Sequence, residues 1–433
     1  MKNVFSFIDL FAGCGGLSLG LIKAGLKCKW AIEIDPNASE TYRFNLGDHI
    51  ICDDVRNVDT KDVPSTDLLV GGFPCQPFSV SGLQGGFLGK DGDLFNQCVR
   101  FIHDKRPKVF FLENVKGFAN LQNGHFLNAA LSILTSLGYR VDWKLINCAD
   151  YGIPQKRERI ILMGNRIGAK NVFPIPTYEK MSVKQAIDDI WQTPDRFENN
   201  EPMRHSPRIV ERFSHVLPGE SAAEAMKRDP SLGNARITKQ CYRRMLPDEP
   251  APTVVANFVT TTIHYSQNRN LTAREAARIQ TFPDDYIFKG YKTRMSWQKD
   301  LSQFEQIGNA VPPRLAELLG ECVLSMLRGE RQLSVDDIGV DSANALIQGE
   351  LFDVTPPEHG PQRRGRTHTN RGRTSKYEQV YLKIEKMQPN ERLVFDVDMP
   401  REFFDMFLCA AMRRRAIQYK IVFDNNKKVF VKL

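Results

Sequence analysis

No two of the nine cysteines stand closer than fourteen residues apart, at positions 14, 28, 52, 75, 98, 148, 241, 322 and 409, so the sequence contains no Cys-x-x-Cys pair. Neither a metal site nor a disulfide framework is signalled, and the odd, dispersed set suits reduced thiols, most of them small buried hydrophobes. No apolar run approaches the ~20 residues that cross a bilayer, which excludes a spanning helix. The apolar stretch 4–11 is too short, and too soon followed by glycines, for a secretory signal; a cytoplasmic protein is expected. Internal repeats are also absent.

What is present is a globular composition over 433 residues, 42% hydrophobic and 25% charged, with a net charge of +8. At about 150 residues per domain, the length suggests about three domains. The charge is uneven. Residues 361–376 carry six Lys/Arg and no acid, residues 377–433 carry eleven basic and eight acidic side chains, and residues 1–360 are close to neutral. A polyanion grip on the larger part of the chain must therefore be local.

Strand-like runs at 4–10, 28–34, 68–71, 109–112, 140–146 and 159–163 alternate with helix-like spacing at 17–24, 94–103 and 126–137. Gly25 and Gly138 stand where helix C-caps belong. The alternation predicts a doubly wound, mostly parallel Rossmann-like α/β sheet with helices on both faces, whose ligands collect at the carboxyl ends of the strands. This catalytic and cofactor-binding part spans 1–170.

From about residue 171 regularity fades. A smaller, irregular region follows at 171–265, and within 196–246 ten Lys/Arg outnumber six Asp/Glu, a local field useful for phosphates. Order returns at 266–329, where Thr272 precedes Ala273, Arg274 and Glu275 as an N-cap followed by an early acid. A further helix is expected over 314–327. Residues 330–376 read as a basic linker too polar to fold, and 377–433 as a small α+β appendage with strands near 392–397, 419–423 and 428–432 and a helix near 401–412.

Four constellations carry chemistry. Asp9 to Gly16 (Asp-Leu-Phe-Ala-Gly-Cys-Gly-Gly) follows a strand and opens a helix, where glycines admit a ligand to the backbone; a tight turn with no ligand is the alternative. The next strand ends at Glu33, where a carboxylate can hold ribose hydroxyls, and Ser18 occupies the place of the third glycine of a dinucleotide loop, so a nucleoside without pyrophosphate fits better. Gly72-Phe73-Pro74-Cys75-Gln76-Pro77 holds a cysteine on a stiff loop, either a nucleophile or one more buried thiol. Glu113-Asn114-Val115 ends a neighbouring strand, and Gln155-Lys156-Arg157-Glu158-Arg159 brings Arg157 and Arg159 onto one face, or else forms a solvated charge run.

In this order the segments resemble the motif series of the cytosine-5 DNA methyltransferases, over roughly residues 4–328. The resemblance implies a sequence-specific enzyme of bacterial type II modification that uses S-adenosylmethionine and releases S-adenosylhomocysteine. It assigns the cofactor loop to Phe11, Ala12, Gly13, Cys14, Gly15, Gly16 and Leu17, the ribose to Glu33 with Ile34, and adenine to Asp54 and Val55. Gly72, Pro74 and Leu94 join the cofactor site, as do Asn309, Ala310 and Val311 in a final motif, Gln306 to Pro312. Cys75 becomes the nucleophile, Glu113 the acid that binds the base, Arg159 the donor to the pyrimidine carbonyl and Arg157 the support of the nucleophile loop and its thiolate.

The resemblance further implies that Cys75 adds to carbon 6 of a cytosine flipped from the duplex, that carbon 5 is methylated, and that water takes the displaced proton. Gln84, in the glycine-bearing stretch 79–93 that begins with Ser79, is expected to fill the vacated stack. Residues 171–265 are expected to read the major groove, and Arg274, on the helix that supports them, is expected to contact DNA, as is Ser79. Thr253 reads equally as a phosphate contact or a strand residue. Double-stranded DNA is the expected partner, with no membrane and no metal. A monomer associated with the nucleoid is expected, and a companion restriction endonuclease for the same site is implied. An enzyme of similar motif order acting on transfer RNA is the first rival, and a decayed, non-catalytic DNA-binding protein the second. Arg363 to Lys376 reads either as a phosphate grip or as a tether.

Overall fold

The computed structural model describes residues 4–74, 94–120, 125–177, 179–232, 242–256, 261–293 and 297–330, with strand backbones at 392–395, 419–424 and 427–432. It divides into two compact units, 1–352 and 353–433. The larger is built on a seven-stranded sheet: β1 (Ser6–Leu10), β2 (Lys27–Glu33), β3 (Ile50–Cys52), β4 (Leu68–Gly72), β5 (Val109–Val115), β6 (Arg140–Asn147) and β7 (Glu158–Asn165). The spatial order is β3-β2-β1-β4-β5-β7-β6. Six strands are parallel and β7 alone is reversed. Residues 148–157 are all that separate β6 from β7, fewer than the dozen or so that a parallel crossover needs. The doubly wound, mostly parallel α/β architecture is thus the one the sequence predicts.

Period-two alternation decides what each face buries. Phe7, Val70 and Phe111 join a core containing Leu17 and Leu21 of α1 (Gly16–Lys23) and Leu315, Leu319 and Val323 of α10 (Pro313–Arg328). Their neighbours Ile8, Leu69 and Phe110 join a second core with Phe95 and Val99 of α3 (Leu94–Lys105) and Phe126 and Leu134 of α4 (His125–Ser136). Each such side chain contributes roughly 1.5–3 kcal/mol on burial, so two filled faces make the sheet the rigid base of the site. Gly25 and Gly138 adopt φ of 102° and 86°, as expected of caps.

One close approach fixes the first helix. A Cβ on Gly20 would collide with the Pro313 carbonyl and with Ala316, so α1 and α10 touch through the missing side chain. Gly20→Ala is expected to lower stability by about 1–3 kcal/mol through overpacking, against the ~1 kcal/mol by which alanine ordinarily favours a helix. Urea unfolding measures it, and a gain in stability would show that the two helices separate freely.

The sequence reading missed several elements. Between Glu33 and β4 the chain forms α2 (Pro36–Leu46) and edge strand β3. Asp35 caps α2, accepting from the Ala38 N–H at 2.8 Å, and Pro36 stands at its first turn, a start signal present in the sequence. The region 171–249, read as nearly featureless, contains α5 (Val183–Gln192), α6 (Pro207–Ser214) and α7 (Ala222–Arg228). Ser182 with Gln185 and Ser221 with Glu224 form capping boxes, again a legible signature. Helix α8 (Ala273–Ile279) starts as expected, with Thr272 and Glu275 completing its box, and α9 (Gln303–Asn309) follows.

In the smaller unit, β8 (Arg392–Phe395), β9 (Tyr419–Asp424) and β10 (Lys427–Lys432) form an antiparallel sheet in the order β8-β10-β9. The helix expected near 401–412, and the linker from residue 331, lie outside the described residues.

Candidate active site

The loop after β1 turns through left-handed positions, with φ of 61° at Phe11, 56° at Gly13 and 93° at Gly15. Only glycine adopts that region without cost, so two of the three positions require it. The turn lets Gly13 N–H donate to Glu33 Oε2 at 2.8 Å, while Asp35 N–H donates to Oε1 at 2.9 Å. Glu33 is thereby fixed at the end of β2. Burial pushes its carboxyl up and these backbone donors oppose that.

Asp9, the first residue of the Asp9–Gly16 segment, lies in β1 beneath the loop. Asp9 is fully buried and accepts from Ser18 Oγ at 2.6 Å, while its Oδ1 has no hydrogen-bond partner. Burial pushes the carboxyl up to about 7, the Ser18 hydroxyl opposing and Glu33 adding to the rise. Between about pH 4 and 7 the folded chain therefore retains a proton that the unfolded chain has lost, and stability falls as pH rises. The contribution is at most about 1.4 kcal/mol per pH unit. Asp9→Asn is expected to flatten that part of the stability profile, measured by urea unfolding from pH 4.5 to 8; parallel profiles for the two proteins would contradict a buried neutral acid.

The second half of the site stands at the carboxyl ends of β4 and β5. Gly72 is in register with Glu113. Phe73 and Pro74 leave β4, and Asn114 Nδ2 holds the Phe73 carbonyl at 3.0 Å. Because β7 is reversed, its first residues lie beside the last of β5, with Arg159 in register with Val115. Arg159 Nε meets Glu113 Oε1 at 2.7 Å, both side chains about one-tenth exposed. Arg157 is buried beside them, donating to the carbonyls of Val254 at 2.8 Å, Gly308 at 3.0 Å and Ala310 at 2.9 Å. Burial opposes its charge, and the Arg159 cation adds to that; three carbonyl acceptors compensate.

These pieces enclose a cleft of about 400 Å³. Of the residues singled out in the sequence, its wall gathers Phe11, Ala12, Gly13, Cys14, Gly16, Leu17, Glu33, Gly72, Pro74, Glu113, Arg157, Arg159, Asn309, Ala310 and Val311. An adjoining pocket of about 260 Å³, sharing Phe11, Glu33 and Pro74 with the cleft, holds Ile34, Asp54, Val55 and Leu94. Gly15 is absent from both walls; a Cβ there would press on Leu46 and Tyr286. Cys14 lines the cleft with its thiol pushed far up by burial and engaged with the Gln306 carbonyl at 3.4 Å.

Phe73, Asn114, Val115, Gln306 and Gly308 stand in the quoted motifs but were given no role of their own in the cleft, and Leu301 there, with Ile32, Asp53 and Arg56 in the pocket, was not singled out. Asn114 and Asp53 adjoin named acids and were within reach, whereas Leu301 has no local signal.

Two expectations for DNA contacts meet the structure differently. Thr253 is half-buried, and its hydroxyl donates to the Lys156 carbonyl at 2.7 Å. Arg274 is corrected: it is fully buried, donating to the carbonyls of Glu198, Pro283 and Tyr286, so its guanidinium faces carbonyl oxygens and is not offered to phosphate. Cys75, Ser79 and Gln84 lie outside the described residues.

With this geometry in place, residues 5–325 match the model of the C-5 cytosine-specific DNA methylases. The chain belongs to that family. It is a DNA cytosine-5 methyltransferase. The methylase is 36% identical over 366 residues to type II methyltransferase M.DdeI of Desulfomicrobium norvegicum, covering 73% of this chain and 88% of that one. It is 34% identical over 338 residues to M.NgoFVII of Neisseria gonorrhoeae, covering 75% and 87%. Among solved structures, a prophage-encoded protein of Escherichia coli superposes with a TM-score of 0.59 at 24% identity, over 75% of the methylase and 99% of that chain. That likeness concerns the fold. No helix among the described residues is long and apolar enough to cross a membrane, and no group of three or more His, Cys, Asp or Glu gathers there as for a metal ion.

Proposed function

We propose that the methylase transfers a methyl group from S-adenosylmethionine to carbon 5 of a cytosine turned out of duplex DNA, through a transient bond to Cys75. The observation that carries this reading is the Glu113–Arg159 pair, held in the same cleft as the loop bound to Glu33 and beside Pro74, the residue preceding Cys75. A carboxyl and a guanidinium so joined match the ring edge of cytosine, the carboxyl accepting from the exocyclic amine and donating a proton towards N3, the guanidinium donating to the carbonyl oxygen.

The residues fit the cofactor. Glu33 lies where cleft and pocket join, its two oxygens already oriented by backbone donors and with lone pairs left for ribose hydroxyls. The adjoining pocket offers Ile34, Val55 and Leu94 to the faces of an adenine and the Asp54 carboxylate to its amine. When bound, S-adenosylmethionine supplies an electrophilic methyl group. The chain's own work is to raise the nucleophilicity of carbon 5. Cys75 thiolate adds to carbon 6 as Glu113 passes a proton to N3, where negative charge develops, and N3 returns that proton when the Cys75 bond breaks. After methylation, water takes the carbon 5 proton and the Cys75 bond breaks, restoring the ring. A stacked base exposes none of these atoms, so it must leave the helix, at about a few kcal/mol.

Residues 171–265 are proposed to read the site, with 266–329 supporting them and returning the chain to the core formed by 1–170. Relatives described as type II methyltransferases favour a role in restriction-modification; the methylase is proposed to act as a monomer and to protect DNA from a companion endonuclease. They also favour DNA over transfer RNA as substrate. Bisulfite sequencing of DNA from cells expressing the methylase is expected to show one short motif protected at its cytosine. Incorporation of labelled methyl into transfer RNA, with DNA unmodified, would overturn the reading.

A further inference from the structure

Two glutamines that the reaction does not use join the cofactor side of the site to the recognition side. Gln155 and Gln280 are both fully buried, and neither lines the cleft. Gln155 precedes β7, and Gln280 caps the C-terminus of α8. Gln155 Nε2 donates to Gln280 Oε1 at 2.9 Å. The other ends of the two amides reach different segments. Gln155 Oε1 accepts from the Val254 N–H at 2.8 Å. Gln280 Nε2 donates to the Ile307 carbonyl at 2.7 Å and to the Ala310 carbonyl at 3.3 Å.

Arg157 grips the same two segments, at the carbonyls of Val254 and Ala310. Gly308 completes the contact, since a Cβ there would run into the backbone of Val255 and Ala256. The segment 308–311 lines the cleft. Residues 253–256 belong to the stretch that leads from the recognition region. A buried amide pair with its donors and acceptors engaged has one low-energy arrangement, so a shift of one segment must break these bonds or carry the other segment with it.

We propose that Gln155 and Gln280 are positioning residues that couple cofactor binding to DNA binding, transmitting the setting of 307–311 to 253–256. The proposal rests on the reading of the site given above. Coupling is a ratio of affinities, which distinguishes it from simple core filling: an amide pair that only fills space, when lost, weakens both ligands and leaves their mutual effect intact.

The test measures the affinity of a duplex oligonucleotide, carrying the site mapped by bisulfite sequencing, with and without saturating S-adenosylhomocysteine at fixed salt. In the unaltered methylase the cofactor product is expected to tighten DNA binding at least about fivefold, and DNA to tighten the product equally. Gln155→Met and Gln280→Met, close in shape but without the amide, are each expected to reduce that factor below about twofold. Their affinity for S-adenosylhomocysteine alone should stay within about threefold, because neither residue touches the cleft. The double variant should behave like either single one, as members of one unit do. Circular dichroism without ligand checks that each variant is folded; partial unfolding would raise the apparent factor, because the cofactor product pulls the chain towards its folded form, and so cannot imitate the expected decrease. An unchanged factor in both variants, or a factor of one in the unaltered protein, overturns the coupling. Failure of the unaltered protein to bind either ligand or to methylate DNA overturns the reading of the site instead.

Discussion

On the proposed mechanism, Cys75→Ser is expected to abolish methyl transfer, lowering turnover by at least about a thousandfold, while S-adenosylhomocysteine is expected to bind within about threefold of its normal affinity. Sulfur matters because a thiolate forms near neutral pH in an electropositive setting and is intrinsically nucleophilic, whereas a serine hydroxyl keeps its proton unless a base removes it. Arg157 and Arg159 line the cleft together with Pro74, the residue before Cys75, and Glu113 in the same wall is paired with Arg159. Cofactor affinity is spared because the loop of residues 11–17, Glu33 and the Asp54 pocket lie on other segments. Labelled methyl transfer and calorimetric binding measure the two effects. Duplex DNA carrying 5-fluorocytosine is further expected to trap the unaltered protein covalently, since fluorine does not leave as a proton does. Retained turnover in the serine variant, or no adduct under turnover conditions, removes the covalent route.

The second large effect belongs to Glu113. Glu113→Gln keeps the shape and removes the charge, and is expected to cost about 10²- to 10⁴-fold in turnover, the range of a positioned acid or base. Arg159 then loses its ion-pair partner in a nearly buried place. A buried charge left alone is expensive, about 3–5 kcal/mol, although a glutamine carbonyl recovers part of that by accepting a hydrogen bond. The loss should therefore appear mainly in turnover and only weakly in cofactor binding. Glu113→Gln with turnover within about threefold of normal would remove the carboxylate from the chemistry.

The two arginines, adjacent in sequence pattern, divide their labour in a way that only packing determines. Alternation places Arg157 and Arg159 on one face, and both reach the cleft. Arg159 pairs with Glu113, whereas Arg157 is consumed by three carbonyls from segments about 100 and 150 residues away in sequence. Arg274 teaches the same lesson in reverse. An arginine at the start of a helix beside a basic region suggests a phosphate contact, yet the folded chain closes three carbonyls over it. A side chain's charge is visible in sequence; whether that charge faces water or carbonyl oxygens is not.

Local chemistry was legible throughout. The strand-to-helix glycines, Glu33 at the end of β2, the Thr272–Glu275 cap and the period-two alternation that fills both faces of the sheet follow from short-range backbone and burial preferences. The caps at Asp35, Ser182 and Ser221 were equally local and were simply passed over. The direction of β7 and the grip of Arg157 and Gln280 on 307–310 were decided by tertiary structure alone. They depend on which distant segments are brought within hydrogen-bond range, and a sequence records neither the closure of those loops nor the carbonyls left needing donors once they close.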